Sequence, residues 1–509
     1  MSSGWGAGFN SPALKFSLFF NPVRPWLGIL LAGLSAQVRA ENDDHPRAAY
    51  PGSFSRPPSK GMSYDTWEGA RGPDVGVKRA DPARLPSRVD NSQRAEYPPV
   101  YQQRWGTCGQ FTSIASIFTY EMNILNRTRA DRDANCFPAY FSWNMMNRAR
   151  NVGSEAYHGW EVAKRIGIPT TRSYGGVGRT KIGAWPDGYG VWREAMEYRI
   201  AGYRYSPATT IAQLDEARGW MFDRNFPASG KKPTGGIFAL DGRMGEMKKV
   251  TVTIPDGEYG AGADLWTRWG PSGYGHGITC VGYDDRVGYD LNGDGVITTN
   301  LDLNGDGHVT LADWERGAYI VVNSWGPKWS EDGRIYLLYS AMIDPTWKRG
   351  NYLGRVEVRK HLPRRTARLK LAFSNRTDLR VTIGLAADPA ATEATVTFSP
   401  QLLNGWPLFG RANAGDVPMA GPGDTRPLEI GIELTELFAD LEENDSGEAR
   451  VFLSFETAAD SAASGLLHEC AIRSYDQDGR FENEVGLDVL EGVIGKGPLV
   501  ITGLVDRVR

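Results

Sequence analysis

Three patterns of apolar residues divide this chain. At 112–126, apolar side chains fall at Ile114, Ile117, Phe118, Met122 and Leu125. Steps of three and four put them on one side of a helix, so the spacing predicts a buried helical face. Residues 277–283 and 318–322 are short continuous apolar runs, which predict buried strands. Beyond 365 the pattern becomes alternation: Leu369, Leu371 and Phe373, then Val381, Ile383 and Leu385, with a further strand-like run at 449–455. A period of two means half-buried strands. Residues 41–84 are rich in Pro, Gly and Arg and follow neither period; they read as a flexible segment.

Length and composition narrow the picture. A chain of 509 residues is too long for one ordinary core, so two or three domains are expected. Its 41% hydrophobic and 23% charged residues are ordinary globular values. A formal charge of -3 excludes the large basic excess of a nucleic-acid binder. The 61 Gly, 30 Pro and 16 Trp favour a loop- and strand-rich protein. The patterns assign 85–358 to one dense Trp- and Tyr-rich domain and 366–509 to a separate all-β domain, read as a sandwich, with a hinge near 361–365.

At the N-terminus, Lys15 and Arg24 precede an apolar run over 26–36, followed by Val38-Arg39-Ala40 and the acidic Glu41-Asn42-Asp43-Asp44. The run is too short to span a bilayer and suits a signal peptide. Cleavage near Ala40 and a secreted or periplasmic mature protein are expected, with no later membrane span. Of the four cysteines, Cys108, Cys136, Cys280 and Cys470, at most one disulfide can form if Cys108 is a free nucleophile.

The candidate chemistry lies in three places. Cys108 follows a Gly-containing turn and sits just before the predicted helix, where free N–H groups and the helix dipole favour a thiolate. His276 opens the apolar run at 277–283, and an imidazole there can pair with a thiol and later protonate a leaving amine. Asn323 ends the run at 318–322 and precedes Trp325. A neutral amide can orient the imidazole, and an aromatic beside that bond keeps water away from it.

In this order, with the last two far downstream, the three resemble the papain family of cysteine peptidases. Gln102, six residues before Cys108, matches the family's oxyanion-hole glutamine. Gly106-Thr107-Cys108 matches its nucleophile turn, and Leu85 to Asp90 resembles its mature N-terminus. His276 with Val281-Gly282-Tyr283, and Asn323-Ser324-Trp325-Gly326 with Trp329 and Gly333, match the other two blocks. The resemblance covers about 85–358, which makes 41–84 a flexible segment or a short atypical propeptide. It implies an α+β, two-lobed fold, a helical lobe plus a β-barrel-like lobe, and hydrolysis of protein or peptide substrates through an acyl-enzyme on Cys108. Two departures alter the neighbourhood of the nucleophile: Gly109 stands where the family has Trp, and Trp105 stands where it has a disulfide-bonded Cys. A catalytically inactive binding protein and an acyl transferase using the same residues are the alternatives. The C-terminal domain is expected to bind substrate or a cell surface.

Between the second and third blocks lie two twelve-residue copies, 290–301 and 302–313. Oxygen-bearing residues at loop positions one, three and five, with Gly at six, suit Ca²⁺, and the repeat resembles dockerin-type calcium loops. The implied ligands are Asp290, Asn292, Asp294 and the Val296 carbonyl in the first copy. In the second they are Asp302, Asn304, Asp306, Asp313 and the carbonyl of His308, whose ring is read as a surface group. The first copy has Leu301 at position twelve, so Asp302 is expected to substitute there. A stabilising rather than catalytic metal is implied.

Overall fold

The computed structural model describes residues 82–224, 233–243, 248–252, 260–270, 275–343, 352–404, 416–439, 441, 447–489 and 492–506. The expected signal peptide and nearly all of the 41–84 segment lie outside the described residues.

The helix predicted at 112–126 begins earlier, at Cys108–Gln110 (α1), runs through a π-helical stretch at Phe111–Phe118 and ends at Thr119–Asn126 (α2). Ile114, Ile117, Phe118 and Met122 are fully buried, whereas Leu125 is 47% exposed. The wider i→i+5 turns of the π stretch rotate the buried face relative to a regular helix, which carries Leu125 out of it. Further helices are Ala139–Met146 (α3), Ala156–Arg165 (α4), Thr171–Tyr174 (α5), Tyr189–Glu197 (α6) and Ile211–Phe222 (α7).

Both apolar runs are strands. Arg88–Asp90 (β1), Tyr198–Pro207 (β2), Phe238–Arg243 (β3), Lys248–Thr251 (β4), Asp264–Arg268 (β5), Gly275–Gly288 (β6), Arg316–Val322 (β7), Arg334–Leu338 (β8) and Tyr352–Lys360 (β9) form one sheet. Its order is β2-β9-β3-β6-β7-β8-β5-β4, with β1 on β6. Among the described residues the strands follow an open path, so the expected barrel-like closure is not seen. The content is mixed helix and sheet, as expected. β6 and β7 pair antiparallel with Cys280 opposite Val321, and this hairpin positions the site.

The alternating segments after 365 form two antiparallel sheets. One contains Arg365–Phe373 (β10), Leu428–Glu433 (β13), Gly465–Tyr475 (β15), Phe481–Gly486 (β16) and Val493–Ile494 (β17). The other contains Leu379–Ala386 (β11), Val396–Phe398 (β12), Glu448–Thr457 (β14) and Leu499–Asp506 (β18). Leu369, Leu371, Val381, Ile383, Leu385, Val451, Leu453 and Phe455 are all fully buried, so the period of two marks the inward face as expected.

The described residues form one compact unit, and a single hydrophobic core holds Trp192 and Met196 of α6 together with Ile430 and Ile432 of β13. The connection at 361–364 is pinned at its start: the His361 N–H donates to Glu197 O (3.0 Å) and the ring reaches Glu433 (3.4 Å).

Candidate active site

The nucleophile turn is built by short-range bonds. Thr107 Oγ1 donates to Arg104 O (2.6 Å), the Arg104 N–H to Tyr140 Oη (3.1 Å), and the Gln110 and Phe111 N–H groups to Thr107 O, both at 2.9 Å. Cys108 therefore stands on the first residue of the helix. Its thiol is free, as are those of Cys136, Cys280 and Cys470. The Gly106 N–H donates to Asn151 Oδ1 (2.7 Å). Trp105 lies nearby at φ 64°, with its indole N–H on Thr180 O (3.3 Å).

Gly109 has a steric cause that the sequence does not show. A Cβ at this position would fall 1.9 Å from Ser154 O, and one at Gly106 would fall 2.8 Å from Gly153 N. Residues 152–155 thus press against the nucleophile turn. Gln110 Nε2 holds them there, donating to Ser154 Oγ (2.9 Å) and Glu155 O (3.3 Å).

β6 faces the helix start. A Cβ at Gly277 would lie 3.1 Å from Gly109 Cα. The preceding residue, His276, is 6% exposed. Its Nε2 donates to Asn323 Oδ1 at 2.9 Å, and the same oxygen accepts the Ser324 N–H at 2.8 Å. A carboxamide oxygen only accepts, so Nε2 carries the proton and Nδ1 keeps the lone pair. The Trp325 ring lies 5.1 Å from the imidazole, tilted by 33°, and is itself backed by Trp329 at 5.3 Å. Among the described residues Asn323 Nδ2 is buried with no hydrogen-bond partner, so the amide's side-chain bonding there goes through its oxygen.

The strand bearing Gln102 bridges to Trp325. The Gly326 N–H donates to Tyr101 O (3.1 Å) and the Gln103 N–H to Ser324 O (2.7 Å). Gly326, at φ +87°, has no side chain to crowd Gln102: a Cβ there would approach Gln102 Cβ to 3.2 Å. The structure thus joins Gln102, His276, Asn323 and Trp325 in one neighbourhood, with Gly109, next to Cys108, against Gly277.

Electrostatics differ from the helix-start expectation. Burial pushes the Cys108 thiol up; the Gly277 N–H works in the opposite direction, and the Asp241 carboxylate adds to the rise. Burial also pulls His276 down to about 4, against the upward effect of the Asn323 bond. Burial thus favours the neutral form of both side chains.

The twelve-residue copies fold as matching loops. Asp290 accepts the N–H groups of Gly293 (2.6 Å) and Gly295 (2.8 Å), and Asp302 accepts those of Gly305 (2.8 Å) and Gly307 (2.8 Å). Asp313 grips the second loop at two places, accepting from Leu303 (3.1 Å) and Thr310 (2.8 Å). Glu315 does the same for the first, accepting from Leu291 (2.7 Å) and Thr298 (3.0 Å). Asp302 caps its own loop, so the acid closing the first loop is Glu315 rather than Asp302. Both Asp313 and Glu315 are fully buried. Val296 and His308 are exposed on the loop rims. Among the described residues no three Asp, Glu, His or Cys side chains converge as a ligand set; the carboxylates turn onto backbone amides instead.

No protein-family model matches the chain, and no curated protein matches it. Among solved structures it is similar to xylellain, a cysteine protease from Xylella fastidiosa, with 17% identity and a TM-score of 0.32, covering 62% of this chain and 94% of that one. It is also similar to digestive procathepsin L 3 of Tenebrio molitor larval midgut, with 15% identity and a TM-score of 0.34, covering 57% and 74%. A third is a recombinant stem bromelain precursor, with 14% identity and a TM-score of 0.31, covering 58% and 80%. The likeness is to papain-like cysteine proteases as a group, and it is weak in both identity and superposition.

Proposed function

We propose that this chain is an exported cysteine peptidase that hydrolyses peptide bonds through an acyl-enzyme on Cys108. The observation that carries this is the His276 Nε2 to Asn323 Oδ1 bond of 2.9 Å, held beside Trp325, with the next residue, Gly277, packed against Gly109 beside Cys108. Cys108 Sγ attacks the substrate carbonyl carbon while its proton passes to His276 Nδ1. The carbonyl electron pair moves onto oxygen, where the Cys108 N–H and the Gln102 side-chain amide receive it. One such donor is typically worth about 2.7–4 kcal/mol of transition-state stabilisation. Collapse expels the amine, protonated by His276. A water deprotonated by the same nitrogen then releases the acid and restores the thiol. The test is labelling by an epoxide cysteine-protease inhibitor alongside hydrolysis of a peptide library. A single adduct on Cys108 is expected, with labelling slowing as pH falls through about 4, where burial places the imidazole. Absence of an adduct at Cys108 would end the peptidase assignment.

The paired loops are proposed to bind Ca²⁺ as a structural ion. The oxygen-only donor set suits a hard cation: Asp290, Asn292, Asp294, the Val296 carbonyl and Glu315 in the first loop; Asp302, Asn304, Asp306, the His308 carbonyl and Asp313 in the second. Bound calcium would offset the mutual repulsion of these carboxylates. A ligand at 100 times its Kd stabilises by about 2.7 kcal/mol, so chelation is expected to lower the Tm of a unit this large by about 3 °C. Cys108 labelling should persist at temperatures below the melt. An unchanged melt in EDTA at matched ionic strength would refute the calcium role.

A further inference from the structure

The C-terminal sheets reach the wall beside Cys108 through an unbroken series of contacts. Arg376, in the turn joining β10 to β11, is 5% exposed. Its Nη1 donates to Gly183 O at 2.7 Å, and its guanidinium sits 4.3 Å from the Trp185 ring centre. Among the described residues it has no recorded ion pair, so a buried cation is satisfied by a carbonyl and an aromatic face of the other region. The Trp185 N–H donates to Ala420 O (3.3 Å), and a Cβ at Gly421 would come within 3.0 Å of Ala184 Cα. Residues 183–185 are therefore gripped from the C-terminal side.

The other side of the same segment supports the wall. A Cβ at Gly183 would lie 2.7 Å from Ala149 Cβ and 3.2 Å from Pro422 Cδ, so Gly183 is sandwiched between the two regions. The Gly183 N–H donates to Asn144 Oδ1 (2.8 Å), which also receives Asn147 Nδ2 (3.0 Å); Asn147 Oδ1 in turn receives the Ala149 N–H (2.9 Å). Arg148 and Ala149 are consecutive non-glycine residues in the left-handed region, at φ 47° and 58°. Such a pair persists only where its surroundings hold it. Five residues on, Ser154 O presses on Gly109.

We infer that Arg376 is a positioning residue for the 147–155 wall, so that the C-terminal β region fixes the surface on which an extended substrate lies beside Cys108. The kinetic half of this rests on the peptidase reading; the structural half does not. The test compares full-length wild type with Arg376→Ala, Arg376→Lys and Pro422→Ala by hydrogen exchange, peptide kinetics and iodoacetamide alkylation of Cys108. In Arg376→Ala, amides of 147–155 are expected to exchange about 10-fold faster while those of β6 stay unchanged. KM for an extended peptide should rise about 10-fold, with kcat and the alkylation rate within about twofold, since only binding surface is loosened. Arg376→Lys should recover part of the KM. A folded Arg376→Ala protein with wild-type exchange at 147–155 would overturn the inference. If that variant does not fold, Pro422→Ala decides it: about threefold faster exchange at 147–155 supports the coupling, and no change overturns it. If wild type cleaves no peptide, the peptidase reading fails and the exchange result alone decides this one.

Discussion

An alanine at position 108 is expected to lower peptide hydrolysis by about 10⁴-fold or more, because the sulfur is the atom that bonds to substrate carbon and nothing beside it can substitute. His276, its Nε2 committed to Asn323, moves protons but forms no bond to the substrate carbon. The fold should survive. Cys108 is only 7% exposed, but it contributes a single sulfur to a site bounded by backbone, and losing one such atom from a packed position costs about 1 kcal/mol. The measurements are turnover of a fluorogenic peptide and a thermal melt. A folded Cys108→Ala protein that cleaves as fast as wild type would remove the nucleophile assignment.

Gly109→Ala should be nearly as damaging, for a reason of space rather than chemistry. The new methyl would begin 1.9 Å from Ser154 O, and a backbone carbonyl cannot rotate aside as a side chain can. Relief requires the 152–155 segment to retreat, which strains the Gln110 bonds to Ser154 and Glu155 and the Asn151 bond to Gly106. Overpacking of this kind costs about 1–3 kcal/mol, and a displacement of about 1 Å at a reacting centre can cost about 100-fold in rate. We therefore expect a reduced Tm and a kcat/KM lower by about 100-fold. The tryptophan that the family resemblance would place here is excluded by the same carbonyl. A Gly109→Ala protein with wild-type kinetics would show that the segment moves freely.

How far the sequence discloses this arrangement depends on the kind of residue. Cys108, His276 and Asn323 are distinctive because each carries chemistry on its own, and their order survives long insertions. The helix behind Cys108 and the strands behind His276 and Asn323 follow from apolar spacing, but the π-helical turns at Phe111–Phe118 leave no mark in it, and Leu125 is placed on the wrong side. Glu315 escapes notice because it lies two residues beyond a twelve-residue frame; only the folded loops bring it opposite Leu291 and Thr298. Arg376 is the least visible. Its partners, Gly183 and Trp185, are nearly two hundred residues away, and no local periodicity marks a cation destined for burial. The open order of the main sheet is likewise a matter of pairing between distant strands, which alternation alone does not specify.

The β6–β7 hairpin has one further consequence. His276 sits at the beginning of β6 and Asn323 just past the end of β7, whereas the two loops join the strands at the opposite extreme. At roughly 3.3 Å per residue, the seven residues of β7 separate that tip from Asn323. Length and composition at the tip are thereby insulated from the geometry of proton transfer. A lineage, or a protein engineer, can rewrite the distal turn, add a sensor there or remove one, while the two side chains at the other end keep their register.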